Sequence, residues 1–367
     1  MKILCQTNLI NKALQSIKKA LNVKVQNSLL SGIYIKTLDD SIEMKASDME
    51  FSAIIKIPVR VIEHGEILVS GDFFTNVLKG TRSEEVEIYT KDTDRLLYIE
   101  SNASEYSLLT MPVNEYPNIE KIQKDQPALV LKGNILKDLI SKTAFACAKD
   151  NSKPIFRCIY LNIKDSVLNC VATDSHRLAI KKYNLSESIQ DINLLIPNEF
   201  LIEVANHLDD ENDVELYVSS GKIAVQINNL YMQTSIMEGV FPDYNKIIPT
   251  EFNIKVSFNI NEMIAAVENA SKFAKDKKYI NCQINKDEFI IMVNNPDLGK
   301  AKEVIGCNNS GMDINITFNA EYIVQVLKKI ESEKANLFIN SSTAPCSIKQ
   351  DKDDSYNYIV SPMRVNN

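Results

Sequence analysis

Histidine is scarce in this chain of 367 residues: His64, His176 and His207 are all there is. A histidine-rich metal centre is therefore not expected. The seven cysteines (Cys5, Cys147, Cys158, Cys170, Cys282, Cys307, Cys346) are scattered, odd in number and form no C-x-x-C pair. That pattern reads as reduced, buried thiols, against a disulfide frame or a zinc site. There is no glycine-rich phosphate loop, no G-x-S-x-G elbow and no carboxylate cluster at metal spacing. No apolar run approaches the ~20 residues that a bilayer span needs, and no signal-peptide pattern opens the chain. The expectation is a soluble, cytoplasmic protein with no cofactor, no metal and no membrane contact.

What the chain does have is repetition. A helix-patterned segment begins near Asn8, again near Asn134 and again near Asn261. A second helical pattern begins at Asp72, Asn198 and Asn319. Between them, Ile42–Ile57, Val167–Lys182 and Phe289–Gly306 alternate apolar and polar residues as strands do. A period this long marks domain-sized modules, each able to bury its own core. Each module reads as strand, helix, strands, helix, strands, an α+β pattern with antiparallel sheet. Boundaries fall where proline forces extended backbone, at Met111-Pro112 through Tyr116-Pro117-Asn118 and at Phe241-Pro242-Asp243-Tyr244 through Pro249. Three domains follow, 1–126, 127–250 and 251–367.

The net charge of −7 argues against nucleic acid, but its distribution does not. Apolar Ile10, Ala13, Leu14, Ile17 and Leu21 form one stripe, and Lys12 and Lys19 lie away from it. Segment 8–21 carries Lys12, Lys18 and Lys19 for +3, and 134–149 carries Lys137, Lys142 and Lys149 against Asp138 for +2. Segment 260–278 has four lysines against Glu262, Glu268 and Asp276 for +1. For any one helix a solvated face explains this; recurrence in all three modules favours a shared basic surface. The second helices pull the other way, since 198–211 is acidic (Glu199, Glu203, Asp209, Asp210, Glu211) while 71–82 offers Lys79 and Arg82.

One octapeptide, Val171-Ala172-Thr173-Asp174-Ser175-His176-Arg177-Leu178, holds serine, histidine and aspartate together. A hydrolytic triad needs the imidazole within reach of both partners. Neighbours on a strand point to opposite faces, so Ser175 and His176 do not pair easily. The better reading is a turn at Asp174-Ser175 that turns His176 and Arg177 toward a groove as donors, and the chain is not read as an enzyme.

Here the sequence resembles the bacterial sliding clamps, the β subunits of the replicative DNA polymerase. Ala172 to Leu178 carry the resemblance with Phe241-Pro242-Asp243-Tyr244, Asn294-Asn295-Pro296, Pro362-Met363-Arg364 and Ser107–Asn118, in order over the whole length. The resemblance implies three repeats of the DNA clamp fold, with helices lining a central hole, antiparallel sheets outside, and a head-to-tail homodimer closing a ring around double-stranded DNA. Lys12, Lys18, Lys19, Lys24, Lys79, Arg82, Lys149, Lys153, Lys272 and Lys275 are then the DNA-facing candidates. It implies a hydrophobic cleft for short linear peptides of the replicative polymerase, the clamp loader, other polymerases and repair proteins. The matching positions are Phe156, Thr173, His176, Arg177, Leu178, Pro242, Ile247, Pro345, Ile359, Val360, Pro362, Met363, Arg364 and Val365. Leu178, Ile247 and Val360 read equally well as core.

Two departures stand out: Ser175 replaces a usual glycine, and Phe156 replaces a smaller aliphatic residue. At the dimer seam the resemblance places Tyr106 and Leu108 opposite Phe273, with Glu100 and Glu105 in the first domain facing Lys300 and Lys302 in the third. Those charges are reversed from the family pattern while remaining complementary. The alternative is a pseudosymmetric peptide-binding scaffold that encircles no DNA.

Overall fold

The computed structural model describes residues 1–21, 29–102, 104–123, 126–274, 278–351 and 353–364; Lys24, Lys275 and Val365 lie outside the described residues. Among the described residues six α-helices recur at the expected places: α1 Thr7–Ile17, α2 Gly71–Gly80, α3 Gly133–Ser141, α4 Asn198–Asn206, α5 Ile260–Ser271 and α6 Ala320–Leu327. Their buried faces follow helical spacing, as with Ile10, Ala13, Leu14 and Ile17 on α1 and Ile260, Met263, Val267 and Ala270 on α5. The side chains of Asn259 and Asn319 accept the N–H groups of Glu262 and Glu321, capping α5 and α6.

The helices stop sooner than the charge pattern suggests. Just past α3 the Thr143 hydroxyl donates to the Leu139 carbonyl at 2.7 Å, and in the last turn of α5 the Ser271 hydroxyl donates to the Val267 carbonyl at 2.6 Å. These bonds satisfy last-turn carbonyls as the backbone leaves the helix. Lys149 and Lys272 therefore lie past the helix ends. Asp209, Asp210 and Glu211 likewise lie beyond α4, so most of the expected acidity of that helix is in a loop. Lys142 is a correction too: it is buried, with its Nζ 3.0 Å from Asp138 and 3.2 Å from Glu331, and adds nothing to a basic face.

The chain forms two compact units, Met1–Leu136 with Glu203–Ile236 and Lys137–Ile202 with Met237–Asn367. One continuous sheet organises each, with 13 strands in the first and 12 in the second. Each alternating run from the sequence is a hairpin, as in Ser41–Ser47 with Phe51–Pro58 and Val167–Thr173 with Arg177–Asn184.

Each sheet is continuous because a strand of one repeat pairs antiparallel with a strand of the next. In the first unit Leu230–Ser235 adds to Phe51–Pro58, with Leu230 opposite Ile55 and Thr234 opposite Phe51. In the second, Tyr356–Val360 adds to Arg177–Asn184, with Tyr356 opposite Lys181 and Val360 opposite Arg177. The two junctions are the same pairing displaced by 126 residues on both strands.

Two further strands have the same ancestry but an open edge among the described residues. Ser104–Met111 pairs with Leu96–Ser101 on one side, and on the other only Thr110 and Met111 meet a strand. Gly299–Asn309 pairs with Glu288–Asn295, and on its other side only Cys307–Asn309 meet one.

Candidate functional site

The second unit contains a cavity of 230 Å³ beside the second hairpin turn. Its floor is hydrophobic core: Phe156, Leu178, Phe241 and Ile359 belong to one buried cluster with Cys158, Val171 and Leu195. Phe241 stacks on Tyr160 with ring centroids 4.8 Å apart and meets Phe156 edge-on at 6.1 Å. Offset and edge-on contacts of this kind hold rings in fixed positions. Burial raises the Tyr160 and Tyr244 phenols above their ordinary value, so both stay neutral at pH 7. The same cause pushes the Cys158 thiol up to about 11, which leaves it unreactive.

The turn that frames the cavity is built by Asp174. One carboxylate oxygen accepts the N–H groups of His176 at 3.0 Å and Arg177 at 3.1 Å, and the other accepts Arg177 Nε at 2.9 Å. Thr173 Oγ1 accepts the Ser175 N–H at 3.1 Å and donates to the Arg177 carbonyl at 2.6 Å. Ser175 at the corner has φ +79°, the left-handed region that glycine enters without strain.

Eight of the expected cleft residues line this cavity: Phe156, Thr173, His176, Arg177, Leu178, Pro242, Ile247 and Ile359. Pro345, Val360, Pro362, Met363 and Arg364 do not. Val360 is fully buried between Arg177 and Cys346, and is core. The chain beyond it is tied down by Ser361 N–H to the His176 carbonyl at 2.9 Å and Met363 N–H to Thr317 at 2.8 Å.

Arg177 corrects the expected donor role. Its guanidinium is buried, pairs with Asp174, donates to Gln325 and to the Phe145 carbonyl at 2.7 Å, and lies 4.2 Å over the Tyr322 ring. It braces the turn from within. His176, by contrast, is exposed at the cavity. Asp174 is fully occupied by these bonds, so nothing orients an imidazole for nucleophilic chemistry.

Five residues that line the cavity are not in the expected cleft set: Lys153, Ser175, Phe241, Tyr244 and Ser361. Phe241 and Tyr244 stood in plain view in Phe-Pro-Asp-Tyr, an aromatic pair flanking a proline at the end of a strand. Lys153, expected as a DNA-facing residue, lines this cavity: its Nζ is 3.5 Å from Ser175 Oγ and sits over the Phe156 ring at 5.2 Å.

The remaining basic candidates divide by unit. In the first, Lys12, Lys19, Lys79 and Arg82 are exposed, while Lys18 is half-buried with its Nζ 3.9 Å from Asp72. Their helices pack side by side, with Asn11 Nδ2 donating to the Leu78 carbonyl at 3.0 Å. Arg82 also borders an open trough of 1110 Å³ lined by Glu84, Glu85, Glu87 and Glu100, whose sign repels phosphate. In the second unit, Lys149 is 3.7 Å from Glu321 and Lys272 Nζ is 2.9 Å from Asn269 Oδ1; both stay exposed. Glu203, one of the acidic residues of segment 198–211, is buried and hydrogen-bonded to His207 at 3.1 Å. That bond, with Asn206 and Lys19 assisting against desolvation, holds its carboxyl below the usual range.

At the open edges, Tyr106 and Leu108 are half-buried, Glu105, Lys300 and Lys302 are exposed, and Glu100 accepts a hydrogen bond from the Tyr89 hydroxyl. Phe273 is half-buried, its carbonyl accepting from Asn295 Nδ2 at 3.0 Å. Leu109 and Phe73, exposed by 75% and 67%, were missed. Phe73 had a signal: adjacent Phe73 and Phe74 on a helix cannot both face the core.

A module of paired helices on antiparallel sheet, repeated three times and joined strand to strand, defines a DNA clamp, and the comparisons with known proteins agree. The family models for the N-terminal, central and C-terminal domains of the DNA polymerase III beta subunit match residues 1–120, 130–243 and 245–364. The beta sliding clamp of Staphylococcus epidermidis is 27% identical over 359 residues, 95% of each chain. The DNA polymerase sliding clamp of Bacillus subtilis superposes with a TM-score of 0.94 at 26% identity, covering 100% of both chains. The DNA polymerase III beta chain of Streptococcus pneumoniae gives 0.94 at 28%, covering 99% of this chain and 100% of that one. The chain belongs to the bacterial DNA polymerase III beta subunit family, the beta sliding clamps. It is a processivity factor and catalyses no reaction itself.

Proposed function

We propose that two copies of this chain close head to tail into a ring that encircles duplex DNA, slides without sequence preference, and tethers partner proteins through the cleft. The observation that carries this is the pair of open edges. A junction of fixed register occurs twice within the chain, and its two component strands occur once more with one edge open over most of its length among the described residues. Ser104–Leu108 lies 126 residues before Leu230–Thr234, and Gly299–Asn309 is the third counterpart of Phe51–Pro58 and Arg177–Asn184. Pairing them within one chain would leave no interface; pairing them between two copies supplies the missing third junction twice. By the register of the internal junctions, Glu105 comes to lie beside Lys302. Opposite charges across the seam favour head-to-tail pairing, and like edges repel.

Closure matters because charge alone is too weak. Non-specific phosphate binding has a Kd on the order of 10⁻⁴–10⁻⁶ M and falls steeply with salt. A ring leaves its template only by opening or by running off an end. Exposed Lys12, Lys19, Lys79, Arg82, Lys149 and Lys272 are the DNA contacts of this reading, and 1–126, 127–250 and 251–367 its domains. The cleft takes short peptides from the replicative polymerase, the clamp loader and other polymerases and repair proteins, in the cytoplasm. Two apolar anchors at about 1.5–3 kcal/mol each, with a few hydrogen bonds and less the cost of ordering the peptide, give binding of about −8 kcal/mol, roughly micromolar and exchangeable.

The test is retention on DNA at moderate salt after loading by the cognate loader with ATP. Survival on circular duplex and loss on linearisation is the expected result. Equal retention on both forms overturns the ring and leaves a basic-faced peptide scaffold.

A further inference from the structure

The first unit holds a cavity of 150 Å³ whose walls repeat those of the cleft. Ser47, Met49 and Ser52 stand where the cleft has Thr173, Ser175 and Leu178, and Gln233 stands where it has Ile359, each 126 residues earlier. Pro117 replaces Pro242 on the connector. The turn is the same structure. Asp48 Oδ1 accepts the N–H groups of Glu50 at 3.0 Å and Phe51 at 2.7 Å, Ser47 Oγ accepts Met49 N–H at 3.0 Å, and Met49 has φ +79°.

The chemistry of the floor is inverted. The buried hydroxyls of Ser47 and Ser52 bond each other at 2.8 Å, and the buried Gln233 accepts from the Tyr231 hydroxyl at 2.9 Å. A leucine or phenylalanine anchor seated there would meet polar groups in place of apolar side chains and would return no hydrogen bond to them. The exposed carboxylates of Glu50 and Glu120 at the mouth outweigh the single cation of Lys222.

We propose that this cavity is a second docking cleft, taking an extended hydrophilic peptide segment with a cationic side chain, and that Ser52 and Gln233 are the residues that bar apolar anchors. The proposal rests on reading the second-unit cleft as a peptide receptor, and both are tested in one experiment. Isoleucine δ-methyl groups of the full-length protein are observed by NMR, with Ile119 reporting the first cavity and Ile247 the second.

The probes are a blocked hexapeptide of serine and glutamine with one central arginine, and the same peptide with leucine and phenylalanine in place of arginine and one serine. The arginine peptide is expected to shift Ile119 in a saturable way and spare Ile247. The apolar peptide is expected to do the reverse. Glu50→Gln with Glu120→Gln, both exposed, should weaken the arginine peptide about tenfold. The double variant Ser52→Leu/Gln233→Ile should transfer Ile119's response to the apolar peptide. An Ile119 signal that the arginine peptide leaves unmoved at millimolar concentration overturns the proposal. An Ile247 signal unmoved by the apolar peptide would instead sink the cleft reading.

Discussion

The turn at Ser47–Ser52 and the turn at Thr173–Leu178 share a backbone and differ in what supports it. Both place a non-glycine residue at φ +79° and both have an aspartate capping two N–H groups. Only Asp174 also holds a buried guanidinium, because the residue three positions on is Arg177 in the second turn and Phe51 in the first. The backbone is thus a repeated scaffold, and each copy has been specialised by the side chains around it. Leu178 and Ile359 make the floor of one cavity apolar, while Ser52 and Gln233 make that of the other polar.

The largest effect should come from breaking that asymmetry. Asp174→Ala leaves Arg177 charged, buried and short of a partner, which costs about 3–5 kcal/mol. Asp48→Ala loses two caps at a half-exposed turn and should cost about 1 kcal/mol. Urea denaturation of the two variants checks the ratio. Comparable losses would mean that Arg177 is held well enough by Gln325 and the Phe145 carbonyl alone. Next in size is Leu178→Ser, which makes the floor of the second cavity resemble the first. Losing one anchor contact of about 1.5–3 kcal/mol should weaken an apolar peptide at least tenfold in calorimetric titration.

The seam gives a smaller effect. Lys300→Glu with Lys302→Glu sets four like charges along the proposed third junction and should raise the dimer Kd about tenfold at low salt, since exposed pairs contribute ~0.2–1 kcal/mol each. Adding Glu100→Lys and Glu105→Lys should restore it. Sedimentation that shows no change in either variant would mean that the open edges pair through backbone and through Leu108, Phe273 and Phe73 with no help from charge.

Much of this was legible in the sequence where period and pattern were long. The six helices start within about one residue of their expected positions because amphipathic stripes over whole helices are a strong signal. Helix ends were not legible: at the ends of α3 and α5 the Thr143 and Ser271 hydroxyls bond to carbonyls four residues back, and the same bond occurs in helix interiors. Net charge by segment misled at Lys142, since burial of a lysine depends on Glu331, far away in the sequence. Arg177 misled for the same reason, through Gln325 and Phe145. Phe241 was readable and was overlooked. The first cavity was harder to read, because its resemblance to the cleft lies mainly in backbone shape: Asp48, Pro117 and Ser235 keep the letters of Asp174, Pro242 and Ser361, while the residues of the floor differ.

The smallest predicted effect bears most directly on the shared backbone. A side chain in the left-handed region costs about 1–2 kcal/mol, and glycine removes that strain. Glycine also gains freedom in the unfolded chain, which takes back about 0.5–1 kcal/mol. Ser175→Gly and Met49→Gly should therefore each stabilise the protein by roughly 0.5–1 kcal/mol, visible as a small rise in denaturation midpoint. Met49 is 65% exposed, so its replacement loses little packing and should show the full gain. Ser175 Oγ lies 3.5 Å from Lys153 Nζ, a contact at the limit of a hydrogen bond. Equal gains would mean that serine at the cleft corner is tolerated strain and nothing more. A gain confined to Met49→Gly would mean that Ser175 holds Lys153 over the Phe156 ring, making the serine part of the cleft's own architecture.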